Sequence, residues 1–562
     1  MPYSHIVVGG GSAGSVMASR LSEDGANHVL LLEAGPDMPP GREPAAILDS
    51  YPGSAYLDSR FVWTDRRVSV VSRGNNAPGT AAPLRRYEQG RVIGGSSAIN
   101  GQMANRGVPT DYDEWERRGA TGWSWEDVLP FFRKLETDLD FDGPLHGRDG
   151  PLPIRRVPFA QWPRQARAFS ETLQQNALPW LDDQNGDFRD GHYPITISNV
   201  DDHRVSAAMA WLTAQVRARP NLTIRTGATV DELLFEGVRV RGVRVGREEI
   251  EGRTVILCAG ALYTPEILLR AGIGPSQDLR DLGIQVRSNQ QGVGRGLSDH
   301  PSVAIASYLH PTARLGAQRR HIMLGIRFSS DQALYPAGDM AGILSTKAAW
   351  HAVGERLGTL AIWINRPSSE DGRVTLASSD PRQAANIDFA LLSDARDVER
   401  LRAGFRRMAG VHLSPLLEGV IADPFPASYS EKVRQIGTIN LRNRILTRIA
   451  ATFLDGPAWV RRQFLQRAVM EGEALATLMV DDAACDAFIR SAVAGVWHAS
   501  CSCRMGAQDD DMAPLLPDGR VKGIEGLRVA DASAFPAIPS ANTNLPTIML
   551  AEKIADAIRT TG

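Results

Sequence analysis

Residues His5 to Glu33 constrain the fold more than any other stretch of the chain. The apolar run Ile6-Val7-Val8 stops at a glycine turn, Gly9-Gly10-Gly11-Ser12-Ala13-Gly14. A helical pattern follows, with Val16, Met17 and Leu21 facing inward and Ser19, Arg20 and Glu23 outward. A second apolar run, Val29 to Leu32, ends at Glu33, 19 residues past Gly14. Strand, turn, helix and strand in this order, with G-x-G-x-x-G as Gly9, Gly11 and Gly14, predict a dinucleotide-binding βαβ unit. The three glycines allow a tight turn, close approach of the backbone to a pyrophosphate, and packing of helix on strand. The helix N-terminus presents N–H groups and a positive dipole end to phosphate. Glu33 stands where an acid accepts hydrogen bonds from a ribose. The same turn also fits G-x-S-x-G, a hydrolase nucleophile elbow centred on Ser12. Only eight residues precede it, too few to supply the earlier strands of an oxyanion hole, and that reading leaves Glu33 unexplained.

A chain of 562 residues is long enough for more than one domain. Its 43% hydrophobic and 22% charged residues are those of a globular protein, and a net charge of -2 directs nothing toward nucleic acid. No apolar run is long enough to span a bilayer, and the N-terminus enters the first strand with no signal-like segment. Four cysteines, Cys258, Cys485, Cys501 and Cys503, do not make a disulfide framework. Cys501-Ser502-Cys503 lacks a second close pair, so no metal site is expected. These features predict a cytoplasmic, reduced protein.

Helices are expected over Trp123–Leu135, Val205–Arg217 and Asp394–Gly410, and strands over Leu222–Leu234, Val238–Val245, Thr254–Gly260, Leu360–Asn365, Arg373–Ala377 and Asn386–Ala390. Glycine-rich signals fade between about residues 311 and 491 and return from Val493. The expectation is a nucleotide domain assembled from residues 1–155, 202–310 and 492–562, with a substrate domain from 156–201 and 311–491 inserted. Within the latter, Asn440 to Ala474 is helical in pattern and rich in arginine, with apolar Ile445, Leu446, Ile449, Phe453, Phe464 and Leu465. It reads as a pair of amphipathic surface helices, or as a lid, a subunit contact or a membrane-surface contact.

Gly90 to Asp113 reads GRVIGGSSAINGQMANRGVPTDYD, a second glycine-serine turn able to approach a flat ring or a phosphate. It matches, position by position, the first signature of the glucose-methanol-choline (GMC) oxidoreductases. Gly260 to Gly274, GALYTPEILLRAGIG, resembles the second, with Ala271 where the family usually has serine. Together with the N-terminal fingerprint and a C-terminal histidine–asparagine pair, the resemblance covers nearly the whole chain. It implies an α/β fold, with a Rossmann-like FAD-binding domain of the GMC/p-hydroxybenzoate hydroxylase type and an inserted substrate domain built on an antiparallel sheet with helices.

The resemblance implies FAD as cofactor. Gly9, Gly11, Gly14 and Glu33 would hold its ADP half, and Val230, in an Ala228-Thr229-Val230 strand, would contact the adenine. Arg91, Gly94, Ser97, Asn100 and Gly101 would line the isoalloxazine side, and Asp531 matches another flavin contact. Asn544 opens the last helix, with Pro546 in its first turn, aiming a positive dipole end at the flavin. Some members attach flavin through a histidine in the first signature. No histidine lies between Gly90 and Asp113, so noncovalent FAD is expected.

Oxidising an alcohol requires a base for the hydroxyl proton while hydride leaves the carbon, and a second polar group to align the hydroxyl. In the family a His-Asn or His-His pair does this, and the matching positions are His498 as base and Asn542 as its partner. His300 and His146 read as structural. Met103, Trp363, Ile364 and Trp497 are expected to flank the substrate pocket. The Trp497-His498 pair and the C-terminal NTNLPTIMLAEKIADAI most resemble bacterial aryl-alcohol oxidases of the hydroxymethylfurfural oxidase type, and less closely pyridoxine 4-oxidase. A primary alcohol on a flat ring, oxidised to the aldehyde, is the implied substrate. Choline fits less well, because no carboxylate is marked out to face a quaternary ammonium. The electron acceptor stays open between O2, giving H2O2, and a quinone or other carrier. A flavin photodecarboxylase on the same scaffold is a remote alternative. An oligomer is possible, and its state is not legible.

Overall fold

The structure is a computed structural model. It describes all residues except 1, 72–83, 333, 381, 428–430, 471 and 562. Two large sheets organise it. The first runs in the order Leu222–Arg225, Val29–Leu32, Tyr3–Val8, Glu248–Leu257, Arg239–Val245, Glu232–Glu236, with Leu527–Val529 also paired to Glu248–Leu257. Its centre is parallel: His5 lies opposite Val29 on one side and Thr254 on the other. Val29 to Leu32 is apolar throughout and buried throughout, as expected of a strand covered on both faces. The second sheet is antiparallel, in the order Ile421–Ala427, Ser302–Leu309, Leu357–Ile364, Met340–Ser345, Ile322–Phe328, Gly191–Pro194. The helix Ala395–His412 packs its Val398, Leu401, Phe405 and Met408 into the core beneath this sheet.

The first βαβ unit forms over Tyr3–Val8, Ser12–Leu21 and Val29–Leu32. Gly9 takes a φ of 101°, and a Cβ on Gly14 would stand 1.8 Å from the carbonyl oxygen of Gly9. Helix and turn therefore meet only because both residues are glycine. The helix is more buried than its pattern predicts. Ser19 is buried, and Arg20 pairs at 2.8 Å with the buried Glu552. The cause is tertiary: the last helix, Asn544–Thr561, packs along it and meets Arg20 and Glu23 with Glu552 and Arg559, while Arg219 bonds to the Ser19 carbonyl.

Other local expectations change in detail. Val205–Arg217 is not one helix but two, Ala207–Trp211 and Ala214–Arg217, each started by a hydroxyl cap from Ser206 or Thr213. Thr254–Gly260 is the end of a longer strand, Glu248–Leu257. Ala228-Thr229-Val230 lies between strands and not in one. The helix at Trp123–Leu135 begins at Trp125, where Ser124 caps it. All four cysteines are free and buried. Among the described residues, no helix is long and apolar enough to cross a membrane.

Candidate active site

A cavity of about 870 Å³ runs from the first glycine turn to the antiparallel sheet. This is near the upper end of the roughly 300–1,000 Å³ usual for ligand pockets, more than a small alcohol requires. Gly9, Gly11, Ser12, Ala13 and Glu33 line one end. Gly11 caps the helix with no side-chain bond. A Cβ added at Gly11 would meet nothing nearer than Gly95 Cα at 3.8 Å. The first amides of the helix thus open onto the cavity, as an anion site requires. Glu33 Oε2 accepts from Gly10 N at 2.8 Å and Oε1 from Gly35 N at 2.7 Å. Burial pushes this carboxyl above the ordinary value, against those two amides. Val230 lines the same end, held by the bond from Ala228 N to Glu33 O.

A second helix N-terminus faces the cavity beside the first. Thr543, Asn544 and Thr547 line it, and Asn544 Oδ1 accepts from Ser12 Oγ at 2.7 Å. That bond ties the two helix starts together. It also leaves the elbow reading of Ser12 without support, since no histidine contacts this hydroxyl among the described residues. Asp531 lines the wall, but the protein uses both its oxygens. Oδ2 accepts from Gly260 N and Thr264 Oγ, and Oδ1 from Ser533 N and Ser533 Oγ. Its side chain therefore joins two turns and has little capacity left for a ligand. The donors, the open glycine face and the paired helix ends suit a dinucleotide carrying two phosphates.

The first signature is only partly on the lining. Asn100 and Gly101 are there, with Gly90, Gly95, Ser96, Ile99 and Met103. Arg91, Gly94 and Ser97 are not. Ser97 Oγ donates to Gly94 O at 2.6 Å and accepts from Ala207 N at 3.0 Å, which folds the turn back on itself. The Arg91 guanidinium lies over Trp63, 5.1 Å from the ring centre. Behind this loop stand two fully buried arginines that sequence reading missed. Arg204 bonds to Ser97 O and Asn100 Oδ1 and Arg320 to Gly101 O, and among the described residues neither forms an ion pair. Burial lowers Arg204 to about 9 and Arg320 to about 10, so both remain cations at neutral pH beside Asn100 and Gly101.

His498 and Asn542, 44 residues apart in sequence, meet on the cavity wall, with Nδ2 of Asn542 2.9 Å from Nε2 of His498. The backbone N–H of Asn542 donates to Asn105 Oδ1 at 2.9 Å, which seats it. On the far side, His498 Nδ1 lies 2.8 Å from Nδ1 of His300, and His300 Nε2 lies 3.1 Å from Pro539 O. Expected as merely structural, His300 instead touches the candidate base directly.

This chain of contacts fixes the protons. Pro539 O only accepts, so Nε2 of His300 carries hydrogen. Burial lowers His300 to about 4, so it is neutral and its Nδ1 is an acceptor. His498 must then donate from Nδ1. Burial, with the His300 ring adding to it, lowers His498 well below the ordinary histidine value, so it too is neutral. Its Nε2 is left as a lone pair facing the cavity and receiving Asn542 Nδ2–H.

Asp299 holds the loop. Its Oδ1 accepts from Val496 N, His498 N and His300 N at 3.1, 3.0 and 2.8 Å, and its Oδ2 from Tyr87 Oη at 2.9 Å. Burial nevertheless raises it to about 6. The grip on the two amides flanking Trp497 coincides with a φ of 62° at Trp497, a left-handed conformation uncommon for a bulky residue.

Met103, Trp363 and Trp497 line the cavity, Trp363 with its Nε1 tied to Asn365 Oδ1 at 2.9 Å. Ile364 does not. It follows Trp363 on the strand Leu357–Ile364, so its side chain points to the opposite face and is buried in the core. Glu88 lines the cavity near Trp497, but it accepts from Trp497 Nε1 at 3.0 Å and pairs with Arg434 at 3.4 Å. His146 is structural: its Nε2 bonds to Asp183 at 2.9 Å and its Nδ1 lies 3.1 Å from Asp138.

Known proteins resemble this chain over nearly its whole length. The N-terminal GMC oxidoreductase model matches residues 3–302 and the C-terminal one residues 367–551. The chain is 41% identical to 5-(hydroxymethyl)furfural oxidase of Methylovorus sp. (strain MP688), over 99% of each chain. It is 34% identical to an oxygen-dependent choline dehydrogenase of Paraburkholderia phymatum, over 99% of this chain and 92% of that one. Among solved structures it resembles pyridoxine 4-oxidase from Mesorbium loti, with a TM-score of 0.80, 28% identity and 99% of each chain covered. With both halves matched and relatives aligned end to end, the chain belongs to the GMC oxidoreductases, a family of FAD-binding flavoenzymes, and is an oxidoreductase acting on alcohol CH–OH groups.

Proposed function

We propose that this enzyme oxidises a primary alcohol carried on a flat ring, benzylic or furanic, to the aldehyde, with O2 as acceptor and H2O2 as second product. The observation that carries the reading is the pairing of His498 Nε2 and Asn542 Nδ2, 2.9 Å apart, on the wall of a cavity also lined by Trp363, Met103 and Trp497. Noncovalently bound FAD would supply the hydride acceptor, with Gly9, Gly11 and Glu33 holding its ADP half and the helix start at Asn544 its flavin side. His498 Nε2 takes the hydroxyl proton, and Asn542 Nδ2 donates to the same oxygen, fixing the carbon's orientation. His300 keeps His498 Nδ1 protonated throughout, so the basic nitrogen is always the one facing substrate. The aromatic walls exclude water and stack on a flat ring.

Two features favour a ring alcohol over choline. Glu88, the cavity carboxylate bonded to Trp497, is already engaged by that indole and by Arg434. The hydroxymethylfurfural oxidase is also more similar in sequence than the choline dehydrogenases. The test is stopped-flow mixing without oxygen against benzylic, furanic and aliphatic alcohols and choline, followed by admission of oxygen. Flavin bleaching by ring alcohols, then rapid reoxidation with peroxide, is expected. Bleaching followed by slow reoxidation by O2 and fast reoxidation by a quinone would replace the oxidase with a dehydrogenase. Bleaching by choline alone would overturn the substrate class. Acid precipitation should release intact FAD, and yellow colour remaining in the pellet would contradict noncovalent binding.

A further inference from the structure

The helix Leu441–Leu454 is turned inside out. Its buried residues are Thr447, Ala451 and Leu454. Its large apolar residues, Leu441, Ile445, Leu446, Ile449 and Phe453, are exposed, Leu441 to 71%. At about 100° per residue these five fall on one continuous arc of the helix. Trp459, in the next helix Ala458–Phe464, is also 71% exposed. An apolar stripe of this size on one helical pair is uncommon on the free surface of a monomer.

The charges around the stripe identify what covers it. Residues 431–470 hold eight Lys and Arg against two acids, in a chain whose net charge is -2. Arg461 and Arg462 are held by Asp423, and Arg434 by Glu88. Arg442, Arg444, Arg448 and Arg467 form no ion pair among the described residues, and Arg442, Arg444, Arg448 and Arg467 are all exposed. A second copy seated symmetrically on this face would set these arginines against their own counterparts. An anionic lipid surface satisfies both features: the apolar arc enters the headgroup boundary, and the arginines extend to the phosphates.

We propose that the face formed by Leu441–Leu454 and Ala458–Phe464 docks on an anionic membrane surface. The cavity opens beside it, since Val433, Arg434, Gly437 and Val469, from the same segment, line the cavity wall. Docking therefore sets the cavity next to the bilayer, the source from which an apolar alcohol or a lipid-soluble electron acceptor partitions.

The experiment is co-sedimentation of the FAD-loaded enzyme with phosphatidylcholine vesicles, with and without a quarter phosphatidylglycerol, at low and high salt. Binding to the anionic vesicles alone, lost at high salt, is expected. A triple charge reversal, R442E/R444E/R448E, should weaken binding about 100-fold, at roughly a factor of five per arginine near an anionic surface. I445S/I449S should weaken it independently. Both variants should oxidise soluble alcohols at the wild-type rate, so a failure of the proposal is distinct from a failure of the catalytic reading. Absence of vesicle binding, or binding unchanged in both variants, would overturn the proposal. So would a dimer in light scattering that I445S/I449S dissociates while vesicles stay unbound, because the covering partner would then be a second copy.

Discussion

His300→Phe isolates the role assigned to His300. The substitution keeps an aromatic ring in a buried site and removes the acceptor for His498 Nδ1–H, 2.8 Å away. That N–H would be left unpaired at full burial, at about 1–3 kcal/mol. His498 escapes the cost by moving its proton to Nε2, where the lone pair should be. The reactive tautomer then becomes a minority by the same free energy. At 1.4 kcal/mol per factor of ten, the rate of flavin reduction should fall between about 5-fold and 150-fold. Flavin content and absorbance should not change, because His300 does not line the cavity. His300→Asn keeps an acceptor oxygen near the lost Nδ1 and should recover most of the rate. The assay is single-turnover reduction by a benzylic alcohol without oxygen. His300→Phe within twofold of wild type would refute the tautomer argument. His300→Asn as slow as His300→Phe, with normal flavin, would show that packing and not the acceptor matters.

Further outcomes follow from the same structure. Because burial lowers His498 well below the ordinary histidine value, flavin reduction should show no loss of rate near pH 6.5 attributable to this imidazole. An acid limb should appear instead near the value of about 6 to which burial raises Asp299, whose protonation disturbs its grip on the amides of His300, Val496 and His498. Removing that grip's phenol, in Tyr87→Phe, should shift this limb, measured as the rate of reduction against pH. His146 is a stability group. Burial opposes its charge, but its bonds to Asp138, Asp183 and Glu136 raise it to about 10. A raised value in the folded state means its contribution is complete below about 6.5, the unfolded value, and is lost as pH climbs to 10. The melting temperature should therefore decline across this window, and decline less in His146→Asn. Gly14→Ala places a Cβ against the Gly9 carbonyl, and the purified protein should lack yellow colour or fail to fold.

The glycine turn and both signatures were legible because local sterics impose them. A residue forced to φ 101°, or a Cβ forced within 1.8 Å of a carbonyl, leaves a mark in any sequence. His498 and Asn542 were found through the pattern around each, and they do meet. What stayed illegible depends on distant partners. His300 is 198 residues from His498, and only the folded loop shows that it supplies an acceptor. The Ser298-Asp299-His300-Pro301 motif carried a hint, since an acid beside a buried histidine needs many donors, and Asp299 finds four. Ile364 was assigned to the pocket with Trp363, although adjacent residues on a strand face opposite ways. Gly94 and Ser97 shape the turn of the signature and do not reach the cavity, and the Arg91 guanidinium lies over Trp63. Arg20 and Glu23 read as facing solvent, but the C-terminal helix meets them with Glu552 and Arg559.

The assignment of His498 as the base is tested by single-turnover flavin reduction in His498→Ala. A loss of roughly 10²–10⁴-fold is expected, with the flavin still bound and yellow. Reduction at the wild-type rate would contradict it.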